Sequence, residues 1–175
     1  MMKRNLLLPA ALLLLVLAGC GGANISMIQE PTVPLNTYGT LTVSRVDNGT
    51  YLDTHPQFMR DDVIASLTKV EQYIKDNVTS FCVEKWTGTG GKQLFIDIVL
   101  SDFDPGSKAK RYLAGYGAGT GRIAYVVRII DGETKGTVAQ FEAWGEVKAG
   151  AFGGSMSQAY KSVTSTIIGW LKEQL

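Results

Sequence analysis

Two patterns of apolar and polar residues divide the chain after residue 37 into strands and helices. Apolar and polar side chains alternate, as in half-buried strands, in four segments: residues 38–46, 93–103, 122–131 and 137–147. In two other segments, residues 57–78 and 155–175, apolar side chains recur every three or four positions, as on one face of a helix. The predicted order of elements is therefore β-α-β-β-β-α.

Each helical pattern predicts one buried stripe of side chains. The stripes consist of Met59, Val63, Leu67, Val70 and Ile74, and of Met156, Tyr160, Val163, Ile167, Trp170 and Leu171. The turn-rich segment at 131–136 joins the last two strands as a hairpin. We predict an α+β fold with a mixed or antiparallel sheet of about four strands. Both helices are expected to pack on one face of this sheet, in a single domain over residues 38–175.

The first 19 residues have the features of a secretory signal peptide. Lys3 and Arg4 precede an apolar run at 6–17, which is too short to span a bilayer. The run ends in Leu-Ala-Gly-Cys, which resembles the lipobox of bacterial lipoproteins. That resemblance implies cleavage between Gly19 and Cys20 and lipidation of Cys20. An ordinary signal peptide with a chance cysteine is the alternative.

The segment that follows is predicted to be a lipid anchor and a flexible tether. Residues 20–37 are rich in Gly, Pro and polar residues and have no sustained period. Fully extended, the tether would reach about 55 Å at about 3.3 Å per residue. Two or three acyl chains hold a protein on a membrane, whereas a single chain binds only marginally. We therefore expect a lipid-anchored cell-membrane protein, and Gly21 favours the outer membrane, with the domain facing the periplasm.

Charge and cysteine content exclude some classes of protein. Removal of Lys3 and Arg4 with the signal peptide changes the formal net charge from +1 to −1. No general positive field for nucleic acid then remains. With Cys20 lipidated, Cys82 has no internal disulfide partner, so we expect it to be a buried, unreactive residue. An intermolecular disulfide is the alternative.

A glycine-rich run, GYGAGTG at 115–121, leads into the third predicted strand. A dinucleotide site needs G-x-G-x-x-G between a strand and a helix, and a P-loop needs G-x-x-x-x-G-K-[ST]. Neither this run nor GTGGKQ at 88–93 has such a spacing, so no nucleotide cofactor is expected. We interpret the alternating glycines as a bulge or a close crossing ahead of the strand.

The densest basic segment of the chain lies just before these glycines. Residues 104–115 resemble a short helix, with Asp104 as a cap and Pro105 in its first turn. A solvated helix face is one interpretation. The other is a binding loop for an envelope protein, an anionic glycan or a lipid headgroup. Its candidate residues are Lys108, Lys110, Arg111, Tyr112, Tyr116 and Arg122.

No set of residues predicts catalysis or metal binding. The single histidine, His55, has no companion His or Cys at metal-ligand spacing and no obvious nucleophile. Asp102 and Asp104 share one side of a strand end, where a carboxylate pair and simple capping fit the pattern equally well. We therefore expect no enzyme activity, no metal and no cofactor.

Residues 102–154 resemble a family of bacterial lipoproteins classed as a domain of unknown function. The shared features are a basic segment leading to G-[FY]-G-[AS]-G, an apolar strand, a D-x-x-[TS]-G-like turn and a glycine-rich approach to a final helix. The likeness extends over about residues 38–172, with the turn lengthened to DGETKG. It implies no catalytic residues. More remotely, the architecture is similar to envelope accessory lipoproteins such as the curli secretion lipoprotein and activators of peptidoglycan synthases.

The sequence leaves three functions open. The first is a non-enzymatic, membrane-anchored lipoprotein that binds or helps to assemble another envelope component. The second is a small-ligand or hydrolytic domain that uses the loop at 112–122 with Asp102 or Asp104. The third is self-assembly into a ring or oligomer through a free sheet edge.

Replacing Cys20 by Ser tests the anchor. Because serine cannot form the thioether, Cys20→Ser should incorporate no labelled palmitate and should move from the membrane to the soluble fraction. Palmitate labelling and cell fractionation measure the two effects. A wild type without label, or a variant that fractionates like the wild type, would contradict the lipobox interpretation.

Overall fold

The computed structural model describes residues 24–105, 121–147 and 156–175, which form one five-stranded sheet with helices. The strands are β1 (Ile25–Gln29), β2 (Thr40–Asp47), β3 (Gln93–Asp104), β4 (Gly121–Asp131) and β5 (Thr137–Val147). They lie side by side in the order β1-β5-β4-β3-β2, so β4 is central and β1 and β2 are the edges.

The sheet is mixed. β2 and β3 are parallel, whereas the other three neighbouring pairs are antiparallel. A parallel pair needs a long crossover connection, and residues 48–92 supply it here. β4 and β5 are joined by the short turn that the sequence predicted as a hairpin.

Within the described residues, two long α-helices and one short α-helix accompany the sheet: α1 (Gly49–Thr54), α2 (Asp61–Glu84) and α3 (Met156–Glu173). α2 packs mainly on β2, and α3 packs on β5 and β4. The long helices also touch each other, because the rings of Tyr73 and Tyr160 meet edge to face with centroids 5.1 Å apart. The predicted α+β class is therefore confirmed.

The core lies between the helices and the sides of the strands that face them. The alternation of β3 and β4 places their apolar residues there, completely buried: Leu94, Ile96, Ile98, Ile123, Val127 and Ile129. Burying one such side chain contributes about 1.5–3 kcal/mol, so these two strands supply much of the stability.

One polar pair crosses this core. The Tyr125 hydroxyl, which is fully buried, donates a hydrogen bond to Asn48 Oδ1 at 2.9 Å. Asn48 Nδ2 donates in turn to the carbonyl oxygen of Leu67 on α2 at 2.8 Å. Burial raises the pKa of Tyr125, so the hydroxyl remains a donor. The pair therefore links β4 to the start of α1 and to α2 without leaving a buried polar group unsatisfied.

The structure corrects the predicted tether over residues 20–37. Residues 25–29 form β1, which pairs with β5, and Leu35 is only 1% exposed. The sheet thus has five strands and not four. The pattern hid β1 because the alternation breaks at Ile28, which lies at a β-bulge and is 56% exposed.

Two helix boundaries also differ from the prediction. α2 continues through 79–84, a segment compatible with either strand or helix in the sequence, because Phe81 and Cys82 extend its buried stripe. Met59, the first residue of the predicted stripe, precedes α2 and is 53% exposed. The sequence predicted no helix at α1, which begins at Gly49, directly after β2.

The predicted signal peptide at 1–19, Cys20 and most of the short helix predicted at 104–115 lie outside the described residues. In the part of the chain that the structure describes, no helix is both long and apolar enough to cross a bilayer.

The contact between α3 and β5 requires a glycine. A Cβ atom at Gly145 would lie 2.0 Å from the carbonyl oxygen of Ala159 in α3. The obstacle is helix backbone, which cannot move aside as a flexible side chain can. Gly145 therefore sets how closely α3 approaches the sheet.

Gly145→Ala is expected to lower the free energy of unfolding by about 1–3 kcal/mol, since α3 must move away from β5. Gly169→Ala is the matched control, because an added Cβ at Gly169 inside α3 meets nothing within 4 Å. That control should stabilise the protein by about 0.5–1 kcal/mol. Urea unfolding followed by circular dichroism measures both, and equal stabilities would contradict the role of Gly145.

Asp131, at the end of β4, holds the turn into β5. Its Oδ1 accepts the backbone N–H groups of Glu133 at 2.8 Å and Thr134 at 2.9 Å. Its Oδ2 accepts the Tyr38 hydroxyl at 2.7 Å. These hydrogen bonds lower the pKa of Asp131 to about 2, and the bond from the Thr134 N–H has the largest effect. The hydrogen bond between Tyr38 and Asp131 raises the pKa of Tyr38. The ionised carboxylate therefore connects the turn to the segment before β2.

Asp131 is expected to make the fold sensitive to acid. Its pKa in the folded state lies below the unfolded value of about 3.9, so its contribution is complete above about pH 5. That contribution is lost as the pH falls from about 4 to about 2. Asp131→Asn should therefore be less stable than the wild type near neutral pH, and the difference should shrink toward about pH 2.

Urea unfolding across this pH range measures the difference. Glu133→Gln is the control, since it changes an exposed neighbour in the same turn and should keep the wild-type pH dependence. A difference between Asp131→Asn and the wild type that is constant at every pH would contradict the assignment.

Candidate functional site

The side of the sheet that faces away from α2 and α3 carries a mixture of charged, polar and apolar residues. No described helix packs on this side, which we call the open face. Its residues alternate with core residues. Ala124 on β4 is completely buried, whereas the following residues of this face are half-buried or exposed: Thr42, Ser44, Arg45, Phe95, Asp97, Val99, Ser101, Asp102, Arg122, Val126, Arg128, Gln140, Glu142 and Trp144.

Two β-bulges add polar side chains to the open face. The register shifts next to Ser44 in β2 and next to Ser101 in β3. At each shift, two consecutive residues both make contacts on this face. They are Ser44 and Arg45 at the first bulge, and Ser101 and Asp102 at the second. Strict alternation would turn one residue of each pair toward the core, and the inserted bulge residue avoids this.

Two arginines converge on one carboxylate near the β2 edge. Arg45 Nε donates to Asp97 Oδ2 at 3.2 Å, and Arg128 Nη2 lies 3.6 Å from the same oxygen. Ser44 Oγ donates to the other oxygen of Asp97. The Asp97 side chain is 14% exposed, whereas those of Arg45 and Arg128 are 48% and 38% exposed. We call these four residues the Asp97 cluster.

Arg122 lies between two carboxylates and an aromatic ring. Its Nε is 3.4 Å from Asp102 Oδ2, and its Nη2 is 3.6 Å from Glu142 Oε2. Its guanidinium carbon is 5.1 Å from the ring centroid of Trp144, and Ser101 Oγ donates to Glu142 Oε1 at 2.9 Å. Although Asp102 is close, the shielded Nε makes no hydrogen bond to any described residue. We call these five residues the Arg122 cluster.

The chemistry of the open face suits recognition better than internal stabilisation. Exposed ion pairs contribute about 0–1 kcal/mol, because water screens them. Between the two clusters, Val99 and Val126 lie opposite each other on β3 and β4. The face can therefore offer guanidinium donors, carboxylate acceptors and apolar surface to one partner.

Only one residue of the predicted binding loop is described. Arg122 lies on the open face, whereas the others lie outside the described residues: Lys108, Lys110, Arg111, Tyr112 and Tyr116. Of the two aspartates considered as a carboxylate pair, Asp102 forms an ion pair with Arg122, and Asp104 is in register with Arg122 across β3 and β4.

His55 and Cys82 occupy structural positions. The ring of His55 stacks on that of Tyr51 with centroids 4.0 Å apart, and its Nδ1 is 3.0 Å from the Tyr51 carbonyl oxygen. Cys82 is 7% exposed, and burial raises the pKa of its thiol to about 12, so the thiol is protonated at neutral pH. Among the described residues, no group of three potential metal ligands occurs.

Packing explains the second glycine motif, at 88–93. A Cβ at Gly88 would lie 1.7 Å from the carbonyl oxygen of Tyr38, and one at Gly90 would lie 1.8 Å from that of Thr37. Trp86 Nε1 also donates to the Tyr38 carbonyl oxygen at 3.1 Å. The glycines therefore let this loop cross closely over the segment that precedes β2.

The sequence did not predict that the residues of either cluster come together. The alternation of β3 predicts that Asp97 points away from the core, but it does not predict which arginines reach it. Arg45 and Arg128 come from strands far apart in the chain, and Arg45 is displaced by a bulge. The available signal was the recurrence of opposite charges on the outward positions of β3, β4 and β5, which is typical of cross-strand pairs.

Comparison with known proteins places the chain in a family. No curated protein matches it. Two solved PelC dodecamers from Paraburkholderia phytofirmans, one of them a variant, align with it at 10% and 8% identity and TM-scores of 0.45 and 0.44. The alignments cover 86% of this chain and 95% and 97% of theirs. The family described as a domain of unknown function, DUF4410, matches residues 45–151, a range that contains every residue of the two clusters except Ser44. This chain therefore belongs to the DUF4410 family.

Proposed function

We propose that this protein is a non-enzymatic, membrane-anchored module of the bacterial envelope that docks onto another envelope protein through its open face. The observation that carries the proposal is the open face itself, which bears two charged clusters and on which no described helix packs. The anchor at Cys20 is part of the proposal and rests on the lipobox-like sequence.

The open face has the dimensions of a protein–protein contact. The five strands contain 47 residues, and at about 3.4 Å per residue and about 4.8 Å between strands they cover about 770 Å². A standard interface buries about 800 Å² on each partner. The face is thus large enough for one protein partner.

The balance of charges favours a protein over an anionic glycan or a lipid surface. The three arginines of the clusters are matched by three carboxylates: Asp97, Asp102 and Glu142. A uniformly anionic partner would meet as much repulsion as attraction here, whereas a protein can present both signs of charge. Arginine and tryptophan are also the residue types enriched at interface centres.

Photo-crosslinking from the open face tests the proposal. A photoreactive phenylalanine analogue is placed at Thr42 or Gln140 on the open face, and at Gln72 on the exposed side of α2 as the matched control. We expect both open-face positions to crosslink to a distinct envelope protein and Gln72 to give no crosslink. A product of twice the protein's mass would favour self-assembly. A glycan-linked or lipid-linked product would favour the anionic partner.

A pair of charge variants makes this experiment specific. Arg122→Gln should weaken the crosslink several-fold while changing the free energy of unfolding by less than about 1 kcal/mol. Lys92→Gln removes the same charge from an exposed ion pair with Glu133 outside the open face, and it should leave the crosslink intact. Equal crosslinking by the two variants would contradict docking at the Arg122 cluster.

A further inference from the structure

The chain becomes fixed to the sheet only four residues after the proposed lipidation site. The Trp144 backbone N–H donates to the Asn24 carbonyl oxygen at 2.9 Å, and Ile25 pairs with Ala143. Four residues span at most about 14 Å at about 3.6 Å per residue. Without β1, the tether predicted over residues 20–37 would reach about 55 Å, so this strand shortens the connection to about a quarter.

The Arg122 cluster lies at the same end of the sheet. Because β1 is antiparallel to β5, its first residues lie beside the last residues of β5, where Trp144 packs against the Arg122 guanidinium. Trp144 is in register with Ala124 on β4, and Arg122 is two residues further along. With strands about 4.8 Å apart and about 3.4 Å per residue, Arg122 lies within about 15 Å of Asn24.

We infer that the Arg122 cluster acts at the membrane surface, within about 30 Å of the lipid, and that its partner is a protein held at the same membrane. This inference rests on the proposed anchor and the proposed docking face. The limit of about 30 Å holds for any tilt of the domain, because it is the sum of the longest possible connection and the distance from Asn24 to Arg122.

A short connection has a measurable consequence for binding. When both partners are held at one membrane, a longer connection spreads the domain over a thicker layer above the lipid, so its effective concentration at the height of the partner falls. Ten additional residues would lengthen the connection about 3.5-fold and would lower this effective concentration by about two- to 3.5-fold.

Lengthening the connection in the full, lipidated protein tests the inference. Ten glycine and serine residues are inserted between Gly22 and Ala23, ahead of β1, and the crosslink from Gln140 is measured in intact cells. We expect its yield to fall about two- to 3.5-fold. The matched control carries the same ten residues after Leu175, which leaves the anchor connection unchanged, and it should crosslink like the wild type.

Energy transfer in vesicles reports the distance independently. A donor dye is attached at Glu146→Cys or at Glu133→Cys, two exposed positions near opposite ends of β5. Cys82 is buried with a raised pKa, so it should not compete for the dye. The vesicles contain phosphatidylethanolamine, phosphatidylglycerol and an acceptor-labelled lipid. Transfer should be strong from position 146, and the insertion should weaken it.

The possible outcomes separate the inference from the proposed function. A crosslink that stays constant after the insertion, whether or not transfer falls, would overturn the inference and leave the docking face standing. Transfer that the insertion does not change would also overturn it, because β1 would then not hold the chain to the sheet. A protein that does not bind the vesicles at all would overturn the anchor, and the inference with it.

Discussion

Burial of one face of the sheet under α2 and α3 supplies the free energy that holds the rest of the domain in place. On β4, the central strand, every second side chain from Ile123 to Ile129 is completely buried. The backbone contact between Gly145 and Ala159 brings α3 close enough to exclude water from this layer. Because the apolar side chains buried on this face supply the stability of the domain, the opposite face of the sheet need not be apolar.

That freedom explains where the charged residues lie. The Asp97 and Arg122 clusters consist of side chains whose ion pairs are partly exposed and contribute little to stability. The bulges at Ser44 and Ser101 add polar side chains to the same surface, at the expense of regular pairing. Features that weaken a sheet slightly and enrich one surface in donors and acceptors are typical of a surface that meets a partner.

The sequence predicted those parts of the fold that depend on local periodicity. The stripe from Val63 to Ile74 identified α2, and alternation identified β2 to β5, because burial repeats every 3.6 residues in a helix and every two in a strand. β1 escaped detection because it has five residues and a bulge at Ile28, so no period is established. The parallel pairing of β2 with β3 and the meeting of Arg45 with Asp97 depend on contacts between distant segments, which no local pattern specifies.

The two edges of the sheet bear on how this domain can meet another chain. β1 covers the edge of β5, and its own outer edge is interrupted by the bulge at Ile28. β2, the other edge, is interrupted by the bulge that turns Ser44 and Arg45 outward. Bulges and charged residues on edge strands oppose strand-to-strand pairing between molecules, because a new strand needs an unbroken row of N–H and C=O groups. Since regular pairing is obstructed at both edges, assembly through a free edge is disfavoured and the broad open face is the better contact surface. The position of β1 then links the two halves of the proposal: the strand that pairs with the β5 edge is also the strand that would hold the Arg122 cluster close to the proposed anchor.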